Sequence, residues 1–356
     1  MKILFEHDHL YYLPHFEPII HELKKRGETE IYGSISILVP QIERDLFAKE
    51  MGRLNIETIS GNYEPQRRRI IKDMDFDLIF VGNKLSLSSI KSKNSFAVMI
   101  YHGIGLKKSY YTDLSKDMDL ICVESEQRGT HLTKDKFPVK ITGFTKLDLL
   151  GDNWIQKTSD VEKIRILYAP TFFPSSLQKT IPFLRTFSSY SLDIKLHHFY
   201  WTNPRYIKIR KSLESFIQES NNINLVPFDE YNLMNFFPNS GILISDYSSA
   251  LFEFLPFNRP IVQTTYYSLR YKYKLFPGLL AKRLDQSRID SLDFVEICHE
   301  PADLKIEIDK AVSNPDMLSK ERKSACSTFL GKIDGCASKR VIDAIIASGI
   351  PIGQAS

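Results

Sequence analysis

The chain has 356 residues, of which 43% are hydrophobic and 25% are charged, and its formal net charge is +4. This length predicts two domains of ordinary globular composition. The charge is too weak for a nucleic-acid binder, which needs a concentrated basic face, but it suits a protein that handles anionic substrates or contacts an anionic membrane surface.

The first half of the chain alternates between strand and helix patterns. It opens with an apolar run, a polar loop and then a helical pattern that ends in basic residues and a glycine. The later apolar runs are short and lack sustained alternation, which is typical of parallel strands buried on both faces. The predicted strands are 1–5, 32–39, 77–81, 96–101 and 119–123, and the predicted helices are 13–26 and 41–53. This order predicts a doubly wound α/β domain.

A charged stretch at 156–163 precedes a second series of the same kind. Its predicted strands are 164–168, 192–196, 224–226, 241–245 and 260–263, and its predicted helices are 204–219, 231–237, 249–255 and 337–347. We therefore expect a first domain at 1–158, a second at 159–335, and a C-terminal helix and tail at 336–356. Two Rossmann-like domains that face each other across a cleft would bind ligands where the carboxyl ends of their strands meet that cleft.

Two features of the sequence restrict its location and its chemistry. The 4 cysteines are widely spaced and form no C-x-x-C pair, so they predict neither a zinc site nor a redox motif. Charged residues interrupt the apolar start, which argues against a signal peptide, and no apolar run is long enough to span a bilayer. We expect a cytoplasmic protein that can also lie on the inner face of the cell membrane.

The first candidate site follows the predicted strand 96–101. His102 would stand at the mouth of the sheet, Gly103 would let a ligand approach the backbone closely, and Lys107 would supply positive charge for an anion. A tight turn that merely exposes a histidine is the alternative interpretation.

Further candidates follow strands of the second half. His197 ends the strand at 192–196 and could contact a diphosphate; the alternatives are a pair of surface histidines and a capping contact. The turn from Ser245 to Ser249 offers hydroxyls and the first N–H groups of a helix, which together favour phosphate binding over simple capping. Thr171, which follows the strand at 164–168, is a further candidate for substrate or nucleotide binding, although sequence alone cannot distinguish its loop from an ordinary turn.

Taken in order, these motifs resemble those of the CDP-glycerol glycerophosphotransferase family, whose members build teichoic-acid and related polyol-phosphate chains. The motifs that carry the resemblance are YHGIGLKK, GFTKLDLL, ILYAPTFF, IKLHH, LISDYSSALFEF and IDGCASKRVIDAI, between about residues 100 and 347. The resemblance implies a GT-B fold with the acceptor side in the first domain and the CDP site mainly in the second. It makes His102 the catalytic histidine and His197 the histidine that meets the donor phosphates. It also places the nucleotide-diphosphate loop at 245–249, including Asp246 and Ser248.

The reaction that this resemblance implies is transfer of a polyol phosphate, glycerol phosphate above all, from a CDP-polyol to a hydroxyl of a lipid-linked or glycan acceptor, with release of CMP. Such chemistry depends on positioning and on charge stabilisation. Lys107 is expected to steady the acceptor phosphate. No cofactor and no obligatory metal are expected. The alternatives are a GT-B glycosyltransferase that uses a nucleotide sugar and a non-catalytic protein that kept the fold.

Overall fold

The structure is a computed structural model that describes residues 1–84, 86–112, 114–151 and 164–353. The chain forms two compact units. The first contains Met1–Gly103, Tyr111–Asp152 and Thr328–Ser356, and the second contains Ile104–Tyr110 and Asn153–Ser327. The predicted boundary between residues 158 and 159 lies outside the described residues. Each unit is built on its own parallel sheet.

The first unit contains a 7-stranded sheet in the order β3-β2-β1-β4-β5-β6-β7, and each adjacent pair is parallel. Every residue of the central strands β1 and β4 is buried. Helices cover both faces of such a sheet, so its strands do not alternate between apolar and polar residues. The strands are β1 Ile3–His7, β2 Ile31–Ile35, β3 Glu57–Ile59, β4 Leu78–Val81, β5 Phe96–Ile100, β6 Leu120–Val123 and β7 Val139–Ile141. The helices of this part of the chain are α1 Leu13–Lys25, α2 Gln41–Arg53, α3 Glu64–Asp73, α4 Leu87–Ile90, α5 Ser109–Thr112 and α6 Glu126–Thr133.

The second unit contains a 6-stranded parallel sheet in the order β10-β9-β8-β11-β12-β13. Its strands are β8 Arg165–Ala169, β9 Ser191–Ile194, β10 Ile223–Leu225, β11 Ile242–Ser245, β12 Ile261–Thr264 and β13 Glu296–Cys298. The helices are α7 Leu177–Thr180, α8 Phe199–Thr202, α9 Pro204–Ile217, α10 Ala250–Glu253, α11 Tyr271–Leu275, α12 Gly278–Arg283, α13 Gln286–Asp290, α14 Leu304–Ser313 and α15 Ser319–Leu330. β1 lies inside the first sheet and β8 lies inside the second, each with strands on both sides. The two units therefore share the doubly wound topology that the sequence predicts.

Short 3-10 helices complete the described chain, and three of them stand where longer α-helices are predicted. They are Leu10–Tyr12, Thr145–Leu150, Ile181–Phe187, Leu233–Asn235, Phe237–Asn239, Leu255–Phe257 and Pro301–Asp303. The helix predicted at 231–237 is wrong, because Pro238 favours two 3-10 turns there. The helix predicted at 249–255 ends at Glu253, since Pro256 cannot continue it.

The C-terminal segment packs against the first unit rather than the second, so residues 328–335 differ from the predicted domain division. The last helix is α16, Ala337–Ala347. The Asp148 carboxylate accepts hydrogen bonds from the backbone N–H of Ala337 at 3.2 Å, and from the N–H and hydroxyl of Ser338 at 2.7 and 2.6 Å. Asp148 therefore caps α16, whose first N–H groups have no partner within the helix.

A second contact fastens the same helix from its side. Arg340 donates from Nε to the Thr142 carbonyl at 2.7 Å and forms a two-bond ion pair with Asp334. Gly143 has a φ of +94°, and a Cβ there would lie 2.9 Å from Arg340 Nη2, so glycine is required at this turn. Two of the motifs in the resemblance thus bind one another within the first unit. Among the described residues we find no helix with the length and apolar character needed to cross a membrane.

Candidate functional site

His102 lies just beyond β5, at the carboxyl edge of the first sheet, and it is half-buried. Its Nδ1 lies 2.9 Å from the carbonyl oxygen of Gly82, which follows β4 on the neighbouring strand. A carbonyl oxygen can only accept, so Nδ1 carries the proton and the neutral ring has its lone pair on Nε2. The ring is therefore oriented to accept a proton at Nε2.

Tyrosines of the β1–α1 connection support this ring. The Tyr12 ring stacks on His102 with centroids 4.6 Å apart, and the Asn83 amide donates to the Tyr12 hydroxyl at 2.6 Å. A Cβ at Gly82 would lie 2.5 Å from two Tyr12 ring carbons, so only glycine fits beneath the tyrosine. Gly103 is buried, and the next residue begins the segment that belongs to the second unit.

Sequence reasoning missed Tyr11, Tyr12, Gly82 and Asn83. The available signal was positional, since the aromatic pair follows the first strand and the Gly-Asn pair follows β4. Adjacent parallel strands end at the same edge of a sheet, which brings these residues to His102.

Lys107 lies in the segment 104–110, which packs within the second unit. Its backbone forms an antiparallel bridge with Leu284, and its Nζ lies 5.0 Å from the centre of the Phe172 ring. Burial, together with the positive charge of Arg283, lowers the pKa of Lys107 to about 8, against an opposing contribution from Asp246. Lys107 is predicted to contact the acceptor phosphate, but it lies in the second unit, where the donor site is predicted.

The start of the serine-rich turn is buried. The Ser245 hydroxyl donates to the Ala169 carbonyl at 2.6 Å. The Asp246 carboxyl accepts from the Thr171 N–H at 2.8 Å, and from the Ser176 N–H and hydroxyl at 3.0 and 3.1 Å. Burial raises the pKa of Asp246 to about 7, although these hydrogen bonds and Lys107 act in the opposite direction. Ser245 and Asp246 therefore join β11 to the loop that follows β8.

The following two serines are more accessible. Ser248 and Ser249 are half-buried, and the Ser248 hydroxyl accepts from the Ala250 N–H at 3.2 Å. The Ser249 hydroxyl donates to Glu253 Oε1 at 2.8 Å within the 4-residue helix α10. The Ser248 hydroxyl thus bonds the first N–H of α10, as a cap does, whereas the Ser249 hydroxyl makes no such bond.

The neutral His197 ring has the opposite tautomer to His102. The Phe199 N–H donates to His197 Nδ1 at 3.2 Å, so Nδ1 accepts and the neutral ring carries its proton on Nε2. The Phe172 ring lies 4.6 Å from the His197 ring and also faces Lys107, so one aromatic residue brings the two candidates together. The second unit thus gathers Lys107, His197 and the Asp246-bound loop at the carboxyl edge of its sheet.

Comparisons with known proteins relate the chain to one family and one fold. A family model described as CDP-Glycerol:Poly(glycerophosphate) glycerophosphotransferase matches residues 76–347. The teichoic acid glycerol-phosphate primase of Bacillus subtilis (strain 168) is 28% identical over 232 residues, which cover 55% of this chain and 58% of that protein. The chain thus spans little more than half the length of that curated relative.

Solved structures share the fold. The wall teichoic acid polymerase TagF superposes with a TM-score of 0.67 at 16% identity, over 98% of this chain and 88% of that one. A UDP-GlcNAc 2-epimerase from Neisseria meningitidis, bound to UDP-GlcNAc, gives a TM-score of 0.62 at 16% identity, over 98% of this chain and 100% of that one. These likenesses confirm the predicted α/β fold of two Rossmann-like, GT-B-type domains.

Proposed function

Because the chain belongs to the CDP-glycerol:poly(glycerophosphate) glycerophosphotransferase family, we propose that it transfers a polyol phosphate from a CDP-polyol, with glycerol as the polyol, to a hydroxyl acceptor and releases CMP. The observation that carries the proposal is that the hydrogen bonds of the two histidines favour opposite tautomers. His102 presents a lone pair at Nε2, whereas His197 presents an N–H at Nε2. One ring is suited to take a proton and the other to bind a phosphate oxygen.

In this proposal the acceptor hydroxyl attacks the phosphorus that bears the polyol. Its proton passes to His102 Nε2, the bond between that phosphorus and the oxygen of CMP breaks, and CMP leaves with the electron pair. A histidine with a reference pKa of about 6.5 can act as a general base at neutral pH. The hydrogen bond to Gly82 holds the ring in the required tautomer.

Donor binding is proposed for the second unit. His197, Lys107 and the hydroxyls of Ser248 and Ser249 would contact the diphosphate, as charge-assisted hydrogen bonds suit phosphate oxygens. Thr171, Ser245 and Asp246 would support this site without contacting the donor, because their hydrogen bonds hold the loop between β8 and α7. That assignment narrows the sequence prediction, which placed them in contact with the nucleotide. The absence of a cofactor and of an obligatory metal remains a prediction.

The test is CMP release from CDP-glycerol in the presence of a glycerol-phosphate oligomer. His102→Ala is expected to lower kcat by roughly 10²- to 10⁴-fold, the range for a lost general base. The matched control is His21→Ala, which removes an exposed histidine of α1. Near-wild-type turnover by His102→Ala would exclude the proposed base. Turnover of UDP-sugars in place of CDP-glycerol would favour a glycosyltransferase.

The acceptor is proposed to be a lipid-linked or glycan polyol chain, which brings the protein to the inner face of the cell membrane. The second unit has a surface that suits this contact, formed by α11, α12 and their connection. Tyr271 and Phe276 are 75% and 62% exposed, and Leu275 and Leu279 are exposed beside them. Lys272, Lys274 and Lys282 lie in the same segment. Apolar and cationic side chains together bind anionic lipid surfaces.

Sedimentation with vesicles of phosphatidylglycerol tests this contact. The double variant Leu275→Ser with Phe276→Ser is expected to reduce the bound fraction several-fold, since two exposed apolar side chains are lost. Ile306→Ser is the matched control, because Ile306 is also about half exposed but lies on α14. Equal binding by all three proteins would contradict the assignment of this surface.

A further inference from the structure

A second oriented histidine lies beside His102 in the first unit. His9 follows β1, and its Nδ1 lies 3.2 Å from Glu43 Oε1 on α2. The same oxygen accepts the Leu10 N–H at 2.9 Å, so it acts as an acceptor and His9 Nδ1 carries the proton. The neutral His9 ring therefore has its lone pair on Nε2, as His102 does.

Glu43 is placed to serve this ring. Its side chain is almost fully buried, although a carboxyl group is among the groups least often found inside a protein. Among the described residues its second oxygen, Oε2, has no hydrogen-bond partner. A buried carboxyl that satisfies only part of its bonding capacity is unfavourable for folding, so its contact with His9 invites a functional explanation.

Tyr11 connects the two histidines. Its ring stacks on His9 with centroids 5.3 Å apart and planes at 16°, and it contacts His102 with centroids 5.5 Å apart. The strands that carry these residues, β1 and β5, are separated in the sheet only by β4. Both imidazoles thus border one tyrosine ring at the carboxyl edge of the sheet, and His9 remains 25% exposed.

We propose that His9, oriented by Glu43, is a second contact for the acceptor, in which its Nε2 accepts a hydrogen bond from a hydroxyl of the terminal polyol unit while His102 takes the proton of the attacking hydroxyl. Tyr11 would lie against the carbon chain of that unit. A polyol presents several hydroxyls within one small residue, so two acceptor nitrogens beside an apolar ring match its chemistry. This inference rests on the proposed function, although His9 and Glu43 themselves precede the part of the chain that the family model matches.

Steady-state kinetics with a glycerol-phosphate oligomer as acceptor give the first test. His9→Ala is expected to raise the KM for the acceptor roughly three- to tenfold, the range for one hydrogen bond to a neutral partner, and to leave the KM for CDP-glycerol unchanged. His21→Ala is a close control, since His21 also pairs with a glutamate but is exposed on α1. An unchanged KM for the acceptor in His9→Ala would overturn the inference.

Glu43 is a positioning residue in this proposal, and its two variants separate charge from geometry. Glu43→Gln keeps an oxygen that can accept from His9 Nδ1 and is expected to retain most of the acceptor affinity. Glu43→Ala releases the ring and is expected to match the rise of KM in His9→Ala. If the glutamine variant is as defective as the alanine variant, orientation through this hydrogen bond is excluded.

Nitrogen chemical shifts of the histidine rings provide a readout that does not depend on turnover. We expect His9 to show the Nδ1–H tautomer, and we expect the oligomer to shift its Nε2 resonance in the wild-type protein. An oligomer that shifts no His9 signal would also overturn the inference. A wild-type protein that releases no CMP would instead refute the proposed function. The response of the His9 nitrogen signals to added oligomer would still show whether His9 contacts the acceptor.

Discussion

The pKa of Lys107 predicts how donor affinity depends on pH. Burial beside Phe172 and the charge of Arg283 lower this pKa to about 8, so roughly 90% of the ammonium is charged at pH 7 and about 3% at pH 9.5. Only the charged form attracts a phosphate. Affinity for CDP-glycerol should therefore be greatest below pH 8 and should fall as the pH rises through that value.

The size of the fall follows from the bond that is lost. A hydrogen bond to a charged group contributes about 1.5–3 kcal/mol, which corresponds to roughly a tenfold to 150-fold change in Kd. Lys107 is only half-buried, and solvent screening places it at the lower end of this range. We therefore expect the Kd of the wild-type protein to rise about tenfold between pH 7 and pH 9.5.

Calorimetric titration with CDP-glycerol across this range makes the measurement, because the acidic oxygens of both its phosphates are ionised throughout. Lys107→Arg keeps its charge at every pH used and should show a flat profile. Lys108→Arg, at the exposed neighbouring position, should retain the wild-type slope. A wild-type Kd that is constant from pH 7 to pH 9.5, or an arginine variant that loses affinity in parallel, would refute the reasoning.

Other predictions concern the supports of the two sites. Gly82→Ala places a Cβ 2.5 Å from Tyr12 and should displace the Tyr12 ring that stacks on His102, the proposed base. We expect kcat to fall roughly tenfold to hundredfold while circular dichroism remains unchanged. Asp148→Ala removes the cap of α16 and should lower the free energy of opening that helix by about 2–3 kcal/mol, which corresponds to roughly 30- to 150-fold faster hydrogen exchange. Asp148→Asn should have a smaller effect. Burial raises the pKa of Asp246 to about 7, so the folded second unit binds a proton that the unfolded chain releases, and its stability should decline as pH rises from about 4 to 7. Asp246→Asn should abolish that decline in thermal melts. The same dependence of melting temperature on pH in the variant and the wild-type protein would contradict this prediction.

Most strands could be predicted because buried parallel strands are apolar throughout. The runs that became β4, β5 and β11 have every residue or nearly every residue buried, and their sequences contain little else. The edge strands β3 and β13 were missed because each has only three residues and one or two of them are exposed. A strand at the edge of a sheet needs less apolar surface and therefore leaves a weaker pattern.

The candidate site was predictable only where a residue directly follows its own strand. His102 and His197 do so, and their positions at strand ends could be inferred from sequence. Their tautomers could not, because Gly82 is distant in sequence from His102 and the Phe199 N–H reaches His197 through a local turn. The buried roles of Ser245 and Asp246 were also hidden, since their partners follow a different strand.

Five of the six ordered motifs divide into two physical classes in this structure. GFTKLDLL and IDGCASKRVIDAI contact each other through the hydrogen bonds of Asp148 and Arg340, which we call the clasp. The clasp holds α16 against the rest of the first unit. The motifs that contain His102, His197 and Ser248 instead end strands and expose polar atoms at the edges of the two sheets. Variants of the clasp should therefore change the exchange rates of α16 before they change chemistry, whereas variants of the strand ends should change kcat or donor affinity in a protein of unaltered stability. That difference between observables distinguishes motifs that maintain the fold from motifs that act on substrate.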